Sequence, residues 1–254
     1  MKKVVMRWML VWVVAMLAMP AVRAAEQEQP TIRALNPVPQ TRGWWTDRHR
    51  QKLEDVKNKQ GDVDLVMIGD SITHGWEIAG LPVWDKYYKA RKALNLGYSS
   101  DRTEHVLWRL QSGEFDGISP KLAILMIGTN NSGQCNDPAD HTVQGIKAIL
   151  DDLRKRLPKT KILLLAIFPR EEKPDGHLRK LNDQINESIA GFADNKTVFF
   201  LDINQKFLDE NGVLSRSIMG DLLHPGLKGY EIWAEAMEPM VQKLMGEKVP
   251  AAGE

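Results

Sequence analysis

Short runs of apolar residues alternate along this chain with longer stretches whose apolar positions recur every three or four residues. Five of the short runs have the length and the apolar content of β-strands. They are residues 63–68, 93–96, 122–127, 162–167 and 198–201. The run 162–167 is apolar at every position, which is typical of a strand buried on both faces of a sheet.

The stretches between these runs have helical periodicity. The clearest are 103–110, 142–157, 178–192 and 230–245, and a more polar candidate is 47–59. Within 142–157, the side chains of Ile146, Ile149, Leu150 and Leu153 fall on one face of a helix. Strands that alternate with helices form parallel sheets with right-handed crossovers. The pattern therefore predicts an α/β fold, a three-layer α/β/α sandwich around a five-stranded parallel sheet.

The chain begins with the features of a secretory signal peptide. Lys2, Lys3 and Arg7 form a basic start, and residues 8–19 form an apolar run well short of the ~18 residues that span a bilayer. Small residues then occupy the −3 and −1 positions of a cleavage site after Ala24. No cysteine directly follows the apolar run, so a lipid anchor is not indicated. We expect a secreted or periplasmic protein with no stable membrane insertion after signal cleavage.

The rest of the chain has a uniform amino-acid composition and no internal repeat, which predicts a single main domain. Residues 25–45 contain Pro30, Pro37 and Pro39 and few periodic apolar positions, so they predict an extended leader that packs over this domain. The predicted divisions are a signal peptide at 1–24, a leader and helix at 25–60, the main domain at 61–246 and a tail at 247–254.

Charge and cysteine content exclude several classes of protein. Without residues 1–24 the chain keeps 30 Lys and Arg against 33 Asp and Glu, a net charge of −3 instead of +1. No basic patch indicates nucleic acid as a partner. Cys135 is the only cysteine, so no intrachain disulfide forms, and a free thiol in a loop is the simplest interpretation.

Candidate chemistry follows from the ends of the predicted strands, since ligands of open α/β sheets bind beyond the carboxyl ends of the strands. Ser71 stands in a strand-to-helix turn directly after the first strand, and Asp221 and His224 precede the last helix. We interpret Ser71 as a nucleophile, His224 as its base and Asp221 as the group that orients the base. Among the histidines only His224 has an aspartate three residues before it. The others, interpreted as surface or helix residues, are His49, His74, His105, His141 and His177.

Donors for an oxyanion hole are predicted at the same edge of the sheet. The Ser71 amide begins a helix, Gly97 allows a second amide to approach closely, and the Asn130 side chain supplies a third donor. Bulky walls around such a site would favour a small acyl group. The residues predicted to line the substrate pocket are Asp70, Trp76, Tyr98, Phe168 and Leu222.

Four short blocks of the chain resemble, in order, those of the SGNH (GDSL-type) hydrolase family. The blocks contain Ser71, Gly97, Asn130 and the Asp221–His224 pair. A more specific resemblance, to the catalytic subunits of platelet-activating-factor acetylhydrolase Ib, rests on the runs at 102–110, 128–131 and 169–174. The resemblance implies a flavodoxin-like SGNH hydrolase fold and serine esterase chemistry. It is also compatible with a homodimer, although no motif marks an interface.

These observations favour a secreted serine esterase that removes a short acyl group, with acetyl preferred, from a carbohydrate or lipid through a covalent acyl-enzyme. This chemistry needs neither a cofactor nor a metal. One alternative is a non-catalytic carbohydrate- or lipid-binding protein on a degenerate hydrolase scaffold. Another is a phosphate or flavin binder that uses the loop after the first strand. Asp70 argues against the latter because its carboxylate would lie beside the phosphate.

Overall fold

The computed structural model describes residues 31–247. The predicted signal peptide, the first residues of the leader and residues 248–254 lie outside this range. Within the described part of the chain, no helix is both long enough and apolar enough to cross a membrane.

The sheet has five strands, and every neighbouring pair is parallel. The strands are β1 (Leu65–Gly69), β2 (Ala93–Gly97), β3 (Leu122–Met126), β4 (Lys161–Leu165) and β5 (Val198–Leu201). Their order across the sheet is β2-β1-β3-β4-β5. The predicted fold class is therefore confirmed, and the predicted strand ends differ from the observed ones by at most two residues.

Helices cover both faces of the sheet. They are α1 (Gly43–Asn58), α2 (Ser71–His74), α3 (Leu81–Tyr87), α4 (Thr103–Gln111), α5 (Thr129–Cys135), α6 (Ala139–Arg156), α7 (His177–Ala190) and α8 (Leu227–Met245). The periodicity predicts α4, α6, α7 and α8 within a few residues of their ends. The short helices α3 and α5 have too few turns to show a periodic pattern, and the sequence does not predict them.

Two apolar cores form because alternate residues of each strand face opposite sides of the sheet. On β1, Val66 and Ile68 face the core shared with α4, α6 and α7, whereas Leu65 and Met67 face the core shared with α3 and α8. Every residue of β1 and β3 is buried. Because β1 and β3 are parallel, their carboxyl ends lie at one rim, and α2 and α5 follow them closely in the chain.

Helix α2 lies so close to the sheet that two positions require glycine. A Cβ on Gly69 would lie 2.2 Å from the Thr73 hydroxyl oxygen, and a Cβ on Gly97 would lie 2.3 Å from the His74 backbone nitrogen. Both distances are far below van der Waals contact. The two glycines therefore set the depth at which the first residue of α2, Ser71, sits against the rim.

Residues 31–58 are packed against the domain. A 3₁₀ turn at Arg33–Leu35 buries Ala34, whose carbonyl oxygen accepts a hydrogen bond from the Thr103 hydroxyl at 3.0 Å. Helix α1 begins at Gly43, four residues before the predicted start, because Trp45 is buried in the domain and extends the packed face toward the amino terminus. The segment 31–58 thus contributes to the core.

A buried group of charges lies beneath the loop that follows β2. Arg109 forms ion pairs with Asp101 and Glu114, and all three side chains are fully buried. Glu114 also accepts a hydrogen bond from the Tyr98 hydroxyl. Burial raises the pKa of Asp101 to about 6, even though Arg109 favours the ionised form. This network fixes the loop from its inner side.

Candidate active site

Ser71, His224 and Asp221 form one hydrogen-bonded chain at the rim of the sheet. The Ser71 hydroxyl lies 2.9 Å from His224 Nε2, and His224 Nδ1 lies 2.6 Å from Asp221 Oδ2. Ser71 follows β1, whereas the other two residues belong to the loop before α8. The fold therefore brings Ser71 and His224, which are 153 residues apart in the sequence, into the predicted contact.

The Asp221 carboxylate is held by its own loop. Its Oδ1 accepts hydrogen bonds from the backbone amides of Leu223 and His224 at 3.0 and 2.8 Å, which leaves Oδ2 for the imidazole. Burial works to raise the pKa of this carboxyl, but the hydrogen bonds from the His224 ring and the two amides outweigh it, so the pKa is lowered. Asp221 is therefore ionised at neutral pH and its partner ring has one orientation.

The loop that carries His224 is tied to the helix that carries Ser71. The Tyr230 hydroxyl, on the first turns of α8, donates a hydrogen bond to the Ile72 carbonyl oxygen at 2.7 Å. Both Gly75 and Gly80 pack against the Tyr230 ring, where a Cβ would clash. Because α8 begins three residues after His224, this contact helps to position His224 relative to Ser71.

Asp70 has a different place from the one predicted. Its side chain is 1% exposed and caps α2 by accepting a hydrogen bond from the Ile72 amide at 2.9 Å. Burial raises the pKa of Asp70 to about 7, against the opposing effects of that hydrogen bond and of His224. Asp70 is thus a helix cap behind the serine and does not line the pocket. It also occupies the α2 amino terminus that a phosphate would need.

Three more of the predicted pocket walls are wrong. Trp76 and Tyr98 are 0% exposed, and Phe168 is 1% exposed. Trp76 and Phe168 pack on the Trp233 ring in the core beneath α8, while Tyr98 packs under the Arg109 guanidinium. These aromatic rings follow the strand ends but turn inward, because the space between the sheet and its helices is filled by large side chains. Of the five, only Leu222 lines a cavity.

Asn130 lies at the rim, one residue into α5. Its Nδ2 donates one hydrogen bond to the Asp101 carbonyl oxygen at 2.9 Å, and its Oδ1 accepts one from Gln134 Nε2 at 3.0 Å. An amide nitrogen carries two hydrogens, so the second hydrogen remains for a ligand. The side chain is only 5% exposed and has one orientation.

The Gly97 amide is already occupied. It donates a hydrogen bond of 2.8 Å to the side-chain oxygen of Asn95, whose own Nδ2 donates to the Thr73 carbonyl oxygen. The prediction that Gly97 contributes an oxyanion donor is therefore wrong for this structure. Gly97 is needed because α2 packs directly on it.

Ser100 provides an alternative amide in the same loop. Its φ of +63° is a left-handed conformation that costs a non-glycine residue roughly 1–2 kcal/mol. Ser100 lies in a loop, and its amide donates no hydrogen bond to a backbone carbonyl within residues 31–247. The carbonyl oxygen of the next residue, Asp101, accepts a hydrogen bond from the Asn130 side chain. Its amide is therefore both free and adjacent to the Asn130 side chain.

The N-terminal segment holds this loop from the outside. Gln40 Nε2 donates to the Ser99 carbonyl oxygen at 3.2 Å and to Asp101 Oδ1 at 2.8 Å, and Trp45 Nε1 donates to the same carboxylate oxygen at 2.7 Å. Arg48 Nε donates to the Gly97 carbonyl oxygen at 2.8 Å. The leader is therefore a structural part of the site.

Two cavities of about 290 Å³ lie near this rim. One is lined by Asp221, Leu222 and Leu223 together with the loop at 170–172. Arg170 in this wall donates to the Thr129 carbonyl oxygen at 3.0 Å. The other cavity lies beside Ser100. Across residues 31–247, no group of three or more His, Cys, Asp or Glu side chains is placed to hold a metal ion.

Comparison with known proteins assigns a family. Residues 67–232 match the GDSL-like lipase/acylhydrolase family. The human platelet-activating factor acetylhydrolase IB subunit alpha1 is 34% identical over 209 residues, which cover 81% of this chain and 86% of that protein. The chain belongs to the GDSL-like lipase/acylhydrolase family. This acylhydrolase is accordingly a carboxylic ester hydrolase.

Solved structures of lower identity share the fold of this acylhydrolase. A GDSL-like lipase from Bacteroides thetaiotaomicron has a TM-score of 0.62 at 21% identity, over 78% of this chain and 97% of that one. An acetylxylan esterase from Geobacillus stearothermophilus has a TM-score of 0.58 at 19% identity, over 74% of this chain and 96% of that one. At such identities the likeness concerns the fold.

Sequence reasoning missed several residues that shape the site of this acylhydrolase. Asn95 lies inside an apolar strand, and a buried polar residue at a strand end is a signal that could have revealed it. Ser100 has no signal of its own, since a positive φ at serine is visible only in the structure. Gln40 and Trp45 lie in the segment interpreted as a leader, far from every motif.

Proposed function

We propose that this acylhydrolase is a serine acetylesterase that works through a covalent acyl-enzyme. The observation that carries the proposal is the chain of hydrogen bonds from Asp221 through His224 to Ser71, with distances of 2.6 and 2.9 Å. A nucleophile, a base and an orienting carboxylate within hydrogen-bond reach are the requirements of this mechanism.

In the first half-reaction, the Ser71 oxygen attacks the ester carbonyl carbon while His224 Nε2 accepts the hydroxyl proton. The tetrahedral intermediate collapses, the C–O bond to the alcohol breaks, and His224 returns the proton to the departing oxygen. Water then attacks the acyl-serine with His224 again as base, which releases the acid and regenerates Ser71. The Asp221 carboxylate stabilises the imidazolium that forms in both halves.

The intermediate carries a negative oxygen that needs hydrogen-bond donors. We assign the Ser71 amide, the Asn130 side-chain amide and, in place of Gly97, the Ser100 amide. The Ser71 amide is the first of α2 and has no intrahelical acceptor. Each donor of this kind is typically worth ~2.7–4 kcal/mol in the transition state.

Acetyl is the acyl group that the similarities favour. The human relative is named an acetylhydrolase, and one structure of the same fold is an acetylxylan esterase. The cavity beside Asp221 is lined by Arg170, Glu171 and Glu172 as well as by leucines, and this charged lining suits a short acyl chain better than a long apolar one.

Activity tests should compare 4-nitrophenyl acetate, butyrate and octanoate, with wild type fastest on the acetate. Ser71→Ala should lower kcat by ~10⁶, the scale seen when a triad serine is removed. Ser188→Ala, an exposed position on α7 far from the rim, is the matched control. A Ser71→Ala variant within tenfold of wild type would remove Ser71 from this role. Failure of the folded wild type to react with a serine-directed phosphonate would favour the non-catalytic binding protein.

We also propose that the protein is exported. Support comes from the basic start, the apolar run at 8–19 and the small residues before Ala25. Amino-terminal sequencing of the protein recovered outside the cytoplasm should begin at Ala25. Recovery in the cytoplasm with an intact Met1 start would contradict export.

A further inference from the structure

A second cavity adjoins the proposed oxyanion donors. Its volume is about 290 Å³, and its walls are residues 38–42 of the N-terminal segment, Ser100, Arg102, His105 and Gln134. Gln134 donates to Asn130 Oδ1 at 3.0 Å, so the cavity shares a wall with the Asn130 side chain. A volume at the lower end of the ~300–1,000 Å³ typical of ligand pockets suits one ring-sized group. Apart from Ser100, no residue that lines this cavity has a role in the proposed chemistry.

The cavity has an excess of positive charge. Arg102 is paired with Glu104 at 2.5 Å, but Arg42 donates only to the Ser100 hydroxyl at 3.0 Å, and within residues 31–247 it forms no ion pair. His105 is surrounded by the same positive charges. Burial, followed by the charges of Arg102, Arg109 and Arg42, lowers its pKa to about 3. The imidazole is therefore neutral, and the free guanidinium edge of Arg42 faces a site that favours an anion.

The uncharged part of the lining is polar. Gln40 Nε2 already donates to Ser99 and Asp101, and Gln134 Nε2 donates to Asn130. The side-chain oxygens of these two glutamines and the hydroxyl groups of Thr41 and Ser100 match the hydroxyl groups of a sugar. Val38 and Pro39 are the only aliphatic residues that line it, too few for a lipid chain. The combination of one uncompensated arginine with amides and hydroxyls points to a hydroxylated anion.

We infer that this cavity binds the carboxylate-bearing sugar of an acetylated acidic saccharide, with the Arg42 guanidinium on the carboxylate. The inference rests on the proposed esterase function, and it places the acetylated alcohol next to Ser100 and Asn130. It also gives the N-terminal segment a role in substrate selection.

The test compares two substrates that differ only in the carboxylate: acetylated methyl glucuronoside and acetylated methyl glucoside. Wild type should prefer the glucuronoside by about tenfold in kcat/KM, the scale of one hydrogen bond to a charged group. Arg42→Gln should bring the ratio close to one, mainly through KM, and Arg42→Lys should retain part of it. The preference should also fall as salt is raised, because Arg42 is exposed.

Arg50→Gln is the matched control. Arg50 is an exposed arginine of α1, the helix that Arg42 directly precedes, and it forms an ion pair with Asp47 at 3.2 Å. This variant should keep the wild-type ratio, which separates a local contact from a change in overall charge.

Three results would overturn the inference. They are a wild-type ratio near one, a ratio unchanged in Arg42→Gln, and faster turnover of an acetylated glycerophospholipid than of either saccharide. In each case turnover of 4-nitrophenyl acetate still tests the esterase itself. Loss of that activity in folded wild type would instead refute the proposed function.

Discussion

Gly97→Ala tests how the sheet positions the serine. The new methyl group would lie 2.3 Å from the His74 nitrogen and 2.5 Å from the Thr73 carbonyl carbon, both of them backbone atoms. An ordinary contact needs ~3.5 Å, so α2 must move by about 1 Å. Since Ser71 is the first residue of α2, its hydroxyl is displaced relative to His224.

Two magnitudes follow from this displacement. Overpacking of this kind costs ~1–3 kcal/mol of unfolding free energy, which for a chain of this size lowers Tm by ~2–12 °C. A misplacement of about 1 Å at the reacting atoms costs ~10²-fold in rate. We therefore expect Gly97→Ala to lose ~10²-fold in kcat while remaining folded.

The assay is kcat on 4-nitrophenyl acetate together with thermal unfolding followed by circular dichroism. Gly43→Ala is the control, since a Cβ there meets nothing within 4 Å. Unchanged kcat and Tm in Gly97→Ala would refute the packing of α2 on β2.

Three further predictions concern single groups of the site. Asn130→Ala should lower kcat on 4-nitrophenyl acetate by ~10²–10³ with little change in KM, because the lost donor acts on charge present only in the transition state; a loss confined to KM would contradict this. Asp221→Asn should lower kcat by up to ~10⁴, because the Leu223 and His224 amides keep the asparagine oxygen at the Oδ1 position and the NH₂ group at the Oδ2 position cannot accept the ring proton; a loss below tenfold would show that another group orients the ring. Asp70 has a pKa raised by burial from 3.8 to about 7, so folding takes up a proton and its contribution to stability is lost as pH rises between those values. Wild type should therefore lose stability relative to Asp70→Asn between pH 4 and pH 7, and parallel Tm profiles would contradict that burial.

The strands and long helices follow from local patterns in the sequence. Apolar runs such as 162–167 predict buried strands, and the spacing of Ile146, Ile149 and Leu153 predicts α6, because both periodicities describe which side of an element faces the core. The three-residue spacing also predicts the contact between Asp221 and His224, since both residues belong to one short loop.

Pocket walls could not be derived in this way. Trp76, Tyr98 and Phe168 stand next to motif residues in the sequence, yet all three are buried in the core. Whether a side chain after a strand end turns toward the rim or toward a helix depends on the space that distant elements leave, here α8 and α4. Adjacency in sequence carries no information on that choice.

The sequence by itself determined the fold class and predicted that Ser71, Asp221 and His224 lie together, because each depends on residues close in sequence or on a short ordered motif. Only the tertiary structure decided which amides remain free for an oxyanion and which residues shape the rim. Asn95 takes the Gly97 amide, and Gln40 and Trp45 hold the loop at 97–101 from 56 or more residues away. Which donor bonds to which acceptor depends on how distant segments pack together, and a local sequence pattern contains no information on that packing.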